Sequence, residues 1–378
     1  VAREIATPSR QKPNVAIVAV NWNGWRDTVE CLESVYQLDY PNYLMILVDN
    51  NSQDDSVAQI RAWAREREER GYVLAEYGEA AAKAGGEPAQ EQSLEVTSPA
   101  NRAVLIRNTV NSGPTGGGNL GIEYALRRKH SVDYVFLLDN DARVDRDTLT
   151  QLIDVSRVED AGIVGARILD LETGRVHYAE RTTTLGFFFT PFVEDGLWIP
   201  PAGDSSWRTC NVNGGAMLVR RDVLMAVCAA REDFLDSSLF SDGWEFEVCS
   251  FSSQLGYRTV GTSRGFVWHK GELRYRDPLN PRRFYYSVRN HILLARSYLP
   301  GRWRLVFHFT NIVICALCVA RGLVHRRPDV LRAILRGVID GYRRAGGTEA
   351  LRQRRPVSAP PFDLTRPSPA ERRSGHAA

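Results

Sequence analysis

Val135-Phe136-Leu137-Leu138-Asp139-Asn140-Asp141 is an apolar run that stops on two aspartates one residue apart. Such a run reads as a strand buried on both faces, as in a parallel sheet. The aspartates then sit at the strand's carboxyl end, where open α/β sheets collect their ligands. Paired hard oxygens suit Mg²⁺ or Mn²⁺, which bind through one or two carboxylates together with the phosphates of a substrate. Taken alone, an Asp-x-Asp reads equally as an Asx turn capping a strand.

Upstream, Val15-Ala-Ile-Val-Ala-Val20 is another apolar, β-branched run and feeds the turn Asn21-Trp22-Asn23-Gly24. A helical pattern carrying Val29, Leu32, Val35 and Tyr36 comes next, and Leu44-Met-Ile-Leu-Val48 gives a second strand closed by Asp49-Asn50-Asn51-Ser52. That is a βαβ unit, with a right-handed crossover expected. A charged helix spans Ala58 to Arg70. Residues 78–103 turn to Ala, Gly, Glu, Gln and Ser with little periodicity, which reads as an exposed, mobile insertion. Val104-Leu-Ile106 resumes as a strand, and a Gly-rich turn from Asn111 to Gly121 enters a helix over Ile122 to Arg128. Beyond the aspartates, Ile163-Val-Gly165, Gly215-Ala-Met-Leu-Val219 and Thr259-Val260 read as further strands, with a helix around Arg221 to Ala230.

With 378 residues, 43% hydrophobic and 25% charged, the chain can bury a sizeable core. A formal net charge of +3 leaves no footprint of nucleic-acid binding. The positive charge gathers late, in Arg321, Arg326, Arg327, Arg332, Arg336, Arg343, Arg344, Arg352, Arg354 and Arg355. This suits an anionic membrane surface or an anionic substrate, and equally a solvated helix face with a loose tail. The cysteines, Cys31, Cys210, Cys228, Cys249, Cys315 and Cys318, are too scattered for a disulfide framework. Cys315-x-x-Cys318 lies in an apolar helical stretch and reads as packing rather than redox or zinc chemistry. Val1 to Asn14 is polar and lacks the apolar core of a signal peptide, so a cytoplasmic location is expected, at the cytoplasmic face of the cell membrane.

After Pro281 the pattern is helical, first over Phe284 to Leu299 and then over Trp303 to Val324. The second helix is apolar around Ile312 to Val319 but contains His308, Asn311 and Arg321. It falls short of the roughly 20 clean apolar residues that spanning demands, so an interfacial or internally buried helix is expected. The expected organisation is a disordered segment 1–14, an α/β domain 15–280, a helical extension 281–350 and a disordered basic tail 351–378.

The order of motifs then becomes recognisable. Val-Asn-Trp-Asn-Gly succeeds the first strand, Val-Asp-Asn-Asn-Ser the second, and Gly-Gly-Gly-Asn-Leu-Gly-Ile and Leu-Leu-Asp-Asn-Asp-Ala come next. Asn213-Gly214-Gly215-Ala216-Met217, an acidic cluster before Leu255-Gly256-Tyr257-Arg258, and Val267-Trp268-His269-Lys270-Gly271 complete the series. It resembles the family 2 glycosyltransferases of the GT-A fold, in particular the rhamnosyltransferase-like members, over about Val15 to Gly271. Tyr-Tyr-x-x-Arg-Asn at Tyr285 to Asn290 is similar to the segment downstream of the GT-A domain in those members.

The resemblance implies a nucleotide-sugar donor held by Asn21, Asn23, Asp49, Asn111, Gly117, Gly118, Asn119 and Asp139. It also implies a divalent cation on Asp139, Asp141 and His269, and a floor under sugar and acceptor made by Asn213, Gly214 and Gly215. Chemistry supports parts of this. Asp49 can accept from the N3-H of uracil or thymine, or simply cap the next helix. Glycines 116 to 118 let backbone approach a ligand, and the helix they open offers unpaired N-H groups to an anion. Inverting transfer needs a general base opposite the leaving diphosphate. In the family this is the aspartate of a Glu-Asp pair, and counting back from Gly256-Tyr257 puts the pair on Trp244-Glu245, with Glu247 as the later acid. The chain departs from the pattern here, Trp standing for Glu and Glu for Asp. Glu245 is therefore the expected base, Asp242 the fallback, and Trp244 either a sugar platform or core.

The expected fold is a GT-A-like α/β domain with a mostly parallel central sheet flanked by helices and a helical C-terminal extension. The expected function is inverting transfer of a sugar, rhamnose first, from a dTDP- or UDP-sugar to a glycan or lipid-linked acceptor in cell-surface polysaccharide or glycoconjugate synthesis. A catalytically silent sugar-nucleotide-binding protein and a sugar nucleotidyltransferase are the alternatives, though Asn21-Trp-Asn-Gly24 lacks the basic Gly-rich cluster of the latter.

Overall fold

β-Branched and apolar runs place three strands side by side at the centre of the computed structural model: β1 (Val15–Asn21), β2 (Tyr43–Asp49) and β5 (Tyr134–Leu138). The structure describes residues 12–176, 183–189, 203–270 and 279–343. Around the three strands lie β3 (Val73–Gly78), β4 (Arg102–Arg107), β6 (Ala142–Val144), β7 (Ile163–Asp170), β8 (Ser206–Arg208), β9 (Ala216–Arg220) and β10 (Thr259–His269). All belong to one ten-stranded sheet, ordered β3-β4-β2-β1-β5-β9-β7-β10-β6 with β8 paired to β10. From β3 to β5 the pairing is parallel. β9 then runs antiparallel between β5 and β7, β10 lies parallel to β7, and β6 and β8 are antiparallel to β10. The chain moves outward from β1 to β2 and β4, then crosses to the other side of β1 for β5. That reversal opens a crevice at the carboxyl ends of β1 and β5.

Each central strand feeds two cores by strict alternation. Ala16, Val18, Leu44, Ile46, Val135 and Leu137 face one side, with the helices α5 (Gly113–Arg127), α8 (Arg221–Arg231) and α9 (Trp244–Gln254). Val15, Ile17, Met45, Leu47, Phe136 and Leu138 face the other, with α1 (Trp25–Val35), α2 (Ser56–Arg65) and α6 (Thr148–Val158).

Three sequence expectations change. Helix α5 begins at Gly113, not at Ile122, so the glycines lie inside its first turns. The segment 78–103 is no exposed insertion: it forms α3 (Glu79–Lys83) and α4 (Pro88–Val96), which bury Ala82 and Leu94 completely. Its anchor is polar, which is why apolar periodicity did not reveal it. Glu91 is buried, accepts from the hydroxyls of Tyr77 and Tyr124, and pairs with the equally buried Arg128 at 3.0 Å. The edge strand β3 precedes it and escaped the sequence reading.

The third change concerns the C-terminal helices. α10 (Pro281–Tyr298) is part of the main core, with Ile292, Leu294 and Ala295 fully buried. α12 (Pro328–Arg343) lies close against it because Gly337 and Gly341 carry no side chain; a Cβ on Gly337 would meet the Tyr285 carbonyl oxygen at 2.8 Å. Between them α11 (Gly301–Val324) is long and apolar enough to cross a membrane, by length and composition, and only 22% of its most apolar stretch is buried. It is therefore neither too polar by that measure nor internally buried. Lys12, Pro13 and Asn14 are tied to the domain through Asn42, Tyr40 and Asp133. The rest of the expected disordered segment 1–14, the tail 351–378 and the basic positions from Arg344 onward lie outside the described residues.

Removing one partner of the Glu91–Arg128 pair strands a buried charge. Glu91→Ala should lower the unfolding free energy by about 3 kcal/mol in urea titrations, where an exposed insertion would give a change within about 0.5 kcal/mol.

Candidate active site

The carboxyl ends of β1, β2 and β5 are joined by buried side-chain hydrogen bonds. Asn21 donates to Asp49 Oδ1 at 2.8 Å, and Thr28 donates to Asn21 Oδ1 at 3.0 Å. Asn140, between the two aspartates, donates to Thr28 at 2.9 Å. Asp49 is only 3% exposed and also accepts from the Ser52 amide and hydroxyl, so it does not line the neighbouring cavity. Asn23, with φ of 53°, caps the next segment by accepting from the Gln53 amide at 2.7 Å.

Asp139 and Asp141 come directly after β5, and β6 beyond them pairs with the end of β10 in a register that sets His269 opposite Ala142. The His269 Nε2 consequently lies 3.2 Å from Asp139 Oδ2 and 3.1 Å from Asp141 Oδ1. One ligand atom from each of the three falls within 4.8 Å of the others. Burial alone would lower the imidazole pKa, but hydrogen bonds to both carboxylates and their negative charge push it up to about 10. An imidazolium holding two carboxylates together is the arrangement a divalent cation can replace, and two oxygens with one nitrogen fit Mg²⁺ or Mn²⁺. The three residues predicted as metal ligands are thus brought together.

A cavity of about 500 Å³ opens beside them. Among the predicted donor and acceptor residues, Asn23, Asn111, Gly118, Asp139, Gly214 and Trp244 line it. Gly117 and Gly121 seat α5 against β1, since a Cβ on Gly117 would meet Val20 at 2.7 Å and one on Gly121 would meet Val18 at 2.5 Å, while a Cβ on Gly118 would meet Leu235 at 2.9 Å. The Thr115 amide at the head of α5 is directed to the Phe240 carbonyl rather than to an incoming anion, and its hydroxyl donates to the same oxygen at 3.2 Å. Asn119 grips Leu235 through its amide and carbonyl, both at 2.8 Å, so it shapes the wall without lining it. Asn213 bonds the Gly215 amide at 2.7 Å, and a Cβ on Gly215 would strike the Asp139 carboxylate at 2.4 Å. These residues form a floor that keeps Asp139 in place.

The catalytic candidates sit on a strained loop. Phe240, Asp242 and Gly243 have φ of 60°, 60° and 82°, the left-handed region that costs non-glycine residues free energy. Asn290 holds the loop by donating to the carbonyls of Leu239, Ser241 and Asp242, and Arg289 donates to that of Ser238. The Arg-Asn of the Tyr-Tyr-x-x-Arg-Asn motif is thereby given a physical task. The loop delivers Trp244 and Glu245 to the start of α9. The Trp244 ring lies on Gly214, where any Cβ would sit 2.0 Å from it, and Glu245 Cγ lies 3.0 Å from the same point. Burial is the largest cause of the raised Glu245 pKa; the charges of Asp242 and Asp139 add to it, and the value is pushed up to about 8. Asp242 is exposed at the loop's tip. Glu247 is a correction: it is fully buried, bound by Arg231 at 2.7 Å and by the Tyr298 hydroxyl at 2.8 Å, and holds α8, α9 and α10 together away from the cavity.

Several lining residues were missed, and three of them bear on ligand binding. Asn50 supports the wall by donating to Asn111 at 3.1 Å, Trp22 is 41% exposed at the rim, and Arg282 enters from the first turn of α10. Arg282 makes no ion pair among the described residues, and it and Asp139 are the charged side chains in the lining. Trp22 belonged to a quoted motif; Arg282 had no local signal, because only folding brings α10 to the cavity.

A family model described as Glycosyl transferase family 2 matches residues 15–84 and 90–226, more than half of the chain. No curated protein matches the sequence. Among solved structures, a mannosyltransferase from Pyrobaculum calidifontis in complex with GDP-Man and Mn²⁺ is similar at 14% identity and a TM-score of 0.51, with 89% of each chain covered. GalNAc-T7 with UDP, GalNAc and Mn²⁺ is similar at 13% identity and a TM-score of 0.50, over 76% of this chain and 48% of that one. At these identities the likeness carries the fold.

Asn290→Leu removes the side-chain amide shared by three carbonyls, of which that of Leu239 keeps the Ser241 amide as a donor. It should cost roughly 1–3 kcal/mol in urea unfolding while leaving Mn²⁺ affinity, read by calorimetry, within a factor of about two.

Proposed function

The chain belongs to glycosyl transferase family 2, and on that premise we propose that it moves a sugar, with inversion, from a nucleoside diphosphate donor in the cavity to an acceptor hydroxyl facing Glu245. The observation that carries this reading is the placement of Asp139 and Trp244 on one cavity, with Glu245 against the glycine that borders it. Asp139, Asp141 and His269 would hold a divalent cation, a choice supported by the Mn²⁺ that both structural neighbours bind. Such a cation offsets the negative charge gathering on the departing diphosphate.

The protein's own groups do the rest. Glu245 takes the proton of the acceptor hydroxyl as its oxygen bonds to the anomeric carbon. The bond from that carbon to the diphosphate oxygen breaks, and the electron pair leaves with the nucleoside diphosphate. Arg282 adds positive charge on the leaving-group side. Trp22 at the rim offers a face to the base, and Trp244 offers one to a sugar.

A pyrimidine donor, dTDP- or UDP-linked, is the first to test; Asp49 would meet its ring N-H only if the Ser52 contacts gave way, since its carboxylate is held by Asn21 and Ser52 and does not line the cavity. Rhamnose is the first sugar to test, and the acceptor is a glycan or lipid-linked glycan of the cell surface. The cytoplasmic face of the membrane is the proposed location. Six free cysteines suit a reducing compartment, and the exposed side of α11 suits a membrane surface.

Glu245→Gln should reduce transfer by about 10²- to 10⁴-fold, measured as nucleoside diphosphate release, with donor affinity unchanged. Loss of donor binding in that variant, or full activity, would sink the assignment. Since the base works only when ionised, the wild-type rate should fall as pH drops below about 8, and this acid limb should be missing from the residual rate of Glu245→Gln. Chelation should abolish turnover, and Asp141→Asn should weaken Mn²⁺ binding by at least about tenfold in calorimetry.

A further inference from the structure

We propose that α11 and α12 form a face that lies in the surface of an anionic bilayer, and that the acceptor is a lipid-linked glycan presented to Glu245 from that bilayer; the second half rests on the chain being a transferase.

On α11, Leu305, Phe309, Ile312 and Leu317 are 74%, 71%, 65% and 65% exposed, while Phe307, Asn311, Cys315 and Gly322 on the opposite side are buried. The exposed apolar face continues to Leu323 and Val324, about 30 Å of helix at 1.5 Å per residue. An apolar stripe of that length facing water marks an interaction surface.

Charge identifies what covers it. Arg302 and Arg304 bracket the stripe at one end, Arg321 and Arg326 at the other, and all four are exposed. Asp329 and Asp340 are the acids between residues 301 and 343, and neither offsets these arginines. Asp329 is held by Arg327 at 2.8 Å, and Asp340 accepts from the Tyr285 hydroxyl at 2.8 Å. Anionic headgroups complement such an arrangement. A second copy of the chain, docked symmetrically on the same stripe, would set arginines against arginines. The helices lie along the surface rather than across it, because exposed Leu335 and Ile339 of α12 alternate with exposed Arg332 and Arg336, which belong at headgroup depth.

The opposite, buried side of the same helix reaches the helix that carries Glu245. Phe307 of α11 packs edge-on against Phe188 at 5.5 Å between ring centres, in α7 (Thr184–Phe189). The adjacent Phe187 stacks on Phe246 at 3.9 Å, and Phe246 is the residue after Glu245. Two layers of packed aromatic rings thus fix the base relative to the bilayer-facing helix, so an acceptor anchored in that bilayer is held in the same neighbourhood as Glu245.

The test uses the full chain, sedimented with phosphatidylglycerol or phosphatidylcholine vesicles, and the double variant Phe309→Gln, Leu317→Gln, whose exposed sites should leave the thermal midpoint unchanged. Wild type should sediment with the anionic vesicles, and the variant should bind them at least tenfold more weakly. Transfer is then compared on a panel of octadecyl glycosides embedded in the vesicles and on the methyl glycosides of the same sugars in solution. The variant should lose tenfold or more on the embedded acceptors and nothing on the soluble ones. A wild-type chain left in the supernatant, or a lipid-independent dimer that the double variant dissociates, would overturn the docking face. Equal rates of wild type and variant on embedded acceptors would overturn the lipid-linked acceptor. No nucleoside diphosphate release with any acceptor would defeat the transferase reading and the acceptor assignment together, and the vesicle arm would still read the docking face by itself.

Discussion

The contact of His269 with Asp139 and Asp141 is the constraint on which the site depends. It comes from strand pairing and not from local sequence. The short strand β6 runs antiparallel to β10, and its register sets His269 opposite Ala142, beside a carboxylate that is only 2% exposed. Two carboxylates this close repel unless a positive charge lies between them. The ladder supplies that charge as an imidazolium and places the same nitrogen where a cation can use it.

Around this centre the walls are fixed by polar side chains bonded to backbone. Asn119 holds Leu235, Thr115 holds Phe240, and Asn290 holds the carbonyls of Leu239, Ser241 and Asp242. The left-handed residues 240, 242 and 243 persist because the surrounding bonds over-determine them. That loop turns Trp244 onto Gly214 and sets Glu245 where burial, with the charges of Asp242 and Asp139 adding to it, raises its pKa. The glycine at 214 is required by the ring lying on it, which explains a motif the sequence alone could name but not justify.

Strands buried on both faces were plain in the sequence, because β1, β2 and β5 are nearly unbroken apolar runs. The two aspartates were legible as metal ligands at a strand end, but His269 joined them only through resemblance, since 130 residues separate it from Asp139. Signals failed where polar groups replace apolar periodicity. Glu91 anchors α4 through Arg128 and two tyrosines, and Glu247, which the resemblance set beside sugar and acceptor, serves as a buried brace. The glycine run announced close backbone approach to a ligand, whereas Gly117 permits close packing of α5 on β1 and Gly118 close approach of Leu235. Arg282 could not be found without knowing that α10 returns to the cavity.

One continuous sheet carries both halves of the crevice. β5 and β9 are zipped together over five residue pairs, from Tyr134 with Arg220 to Leu138 with Ala216, directly beneath the floor. Hinge motion of the kind seen between separate lobes would have to shear that ladder. The two halves of the crevice are therefore held in a fixed relation by the ladder beneath them, and the width of the cavity floor is set by strand pairing.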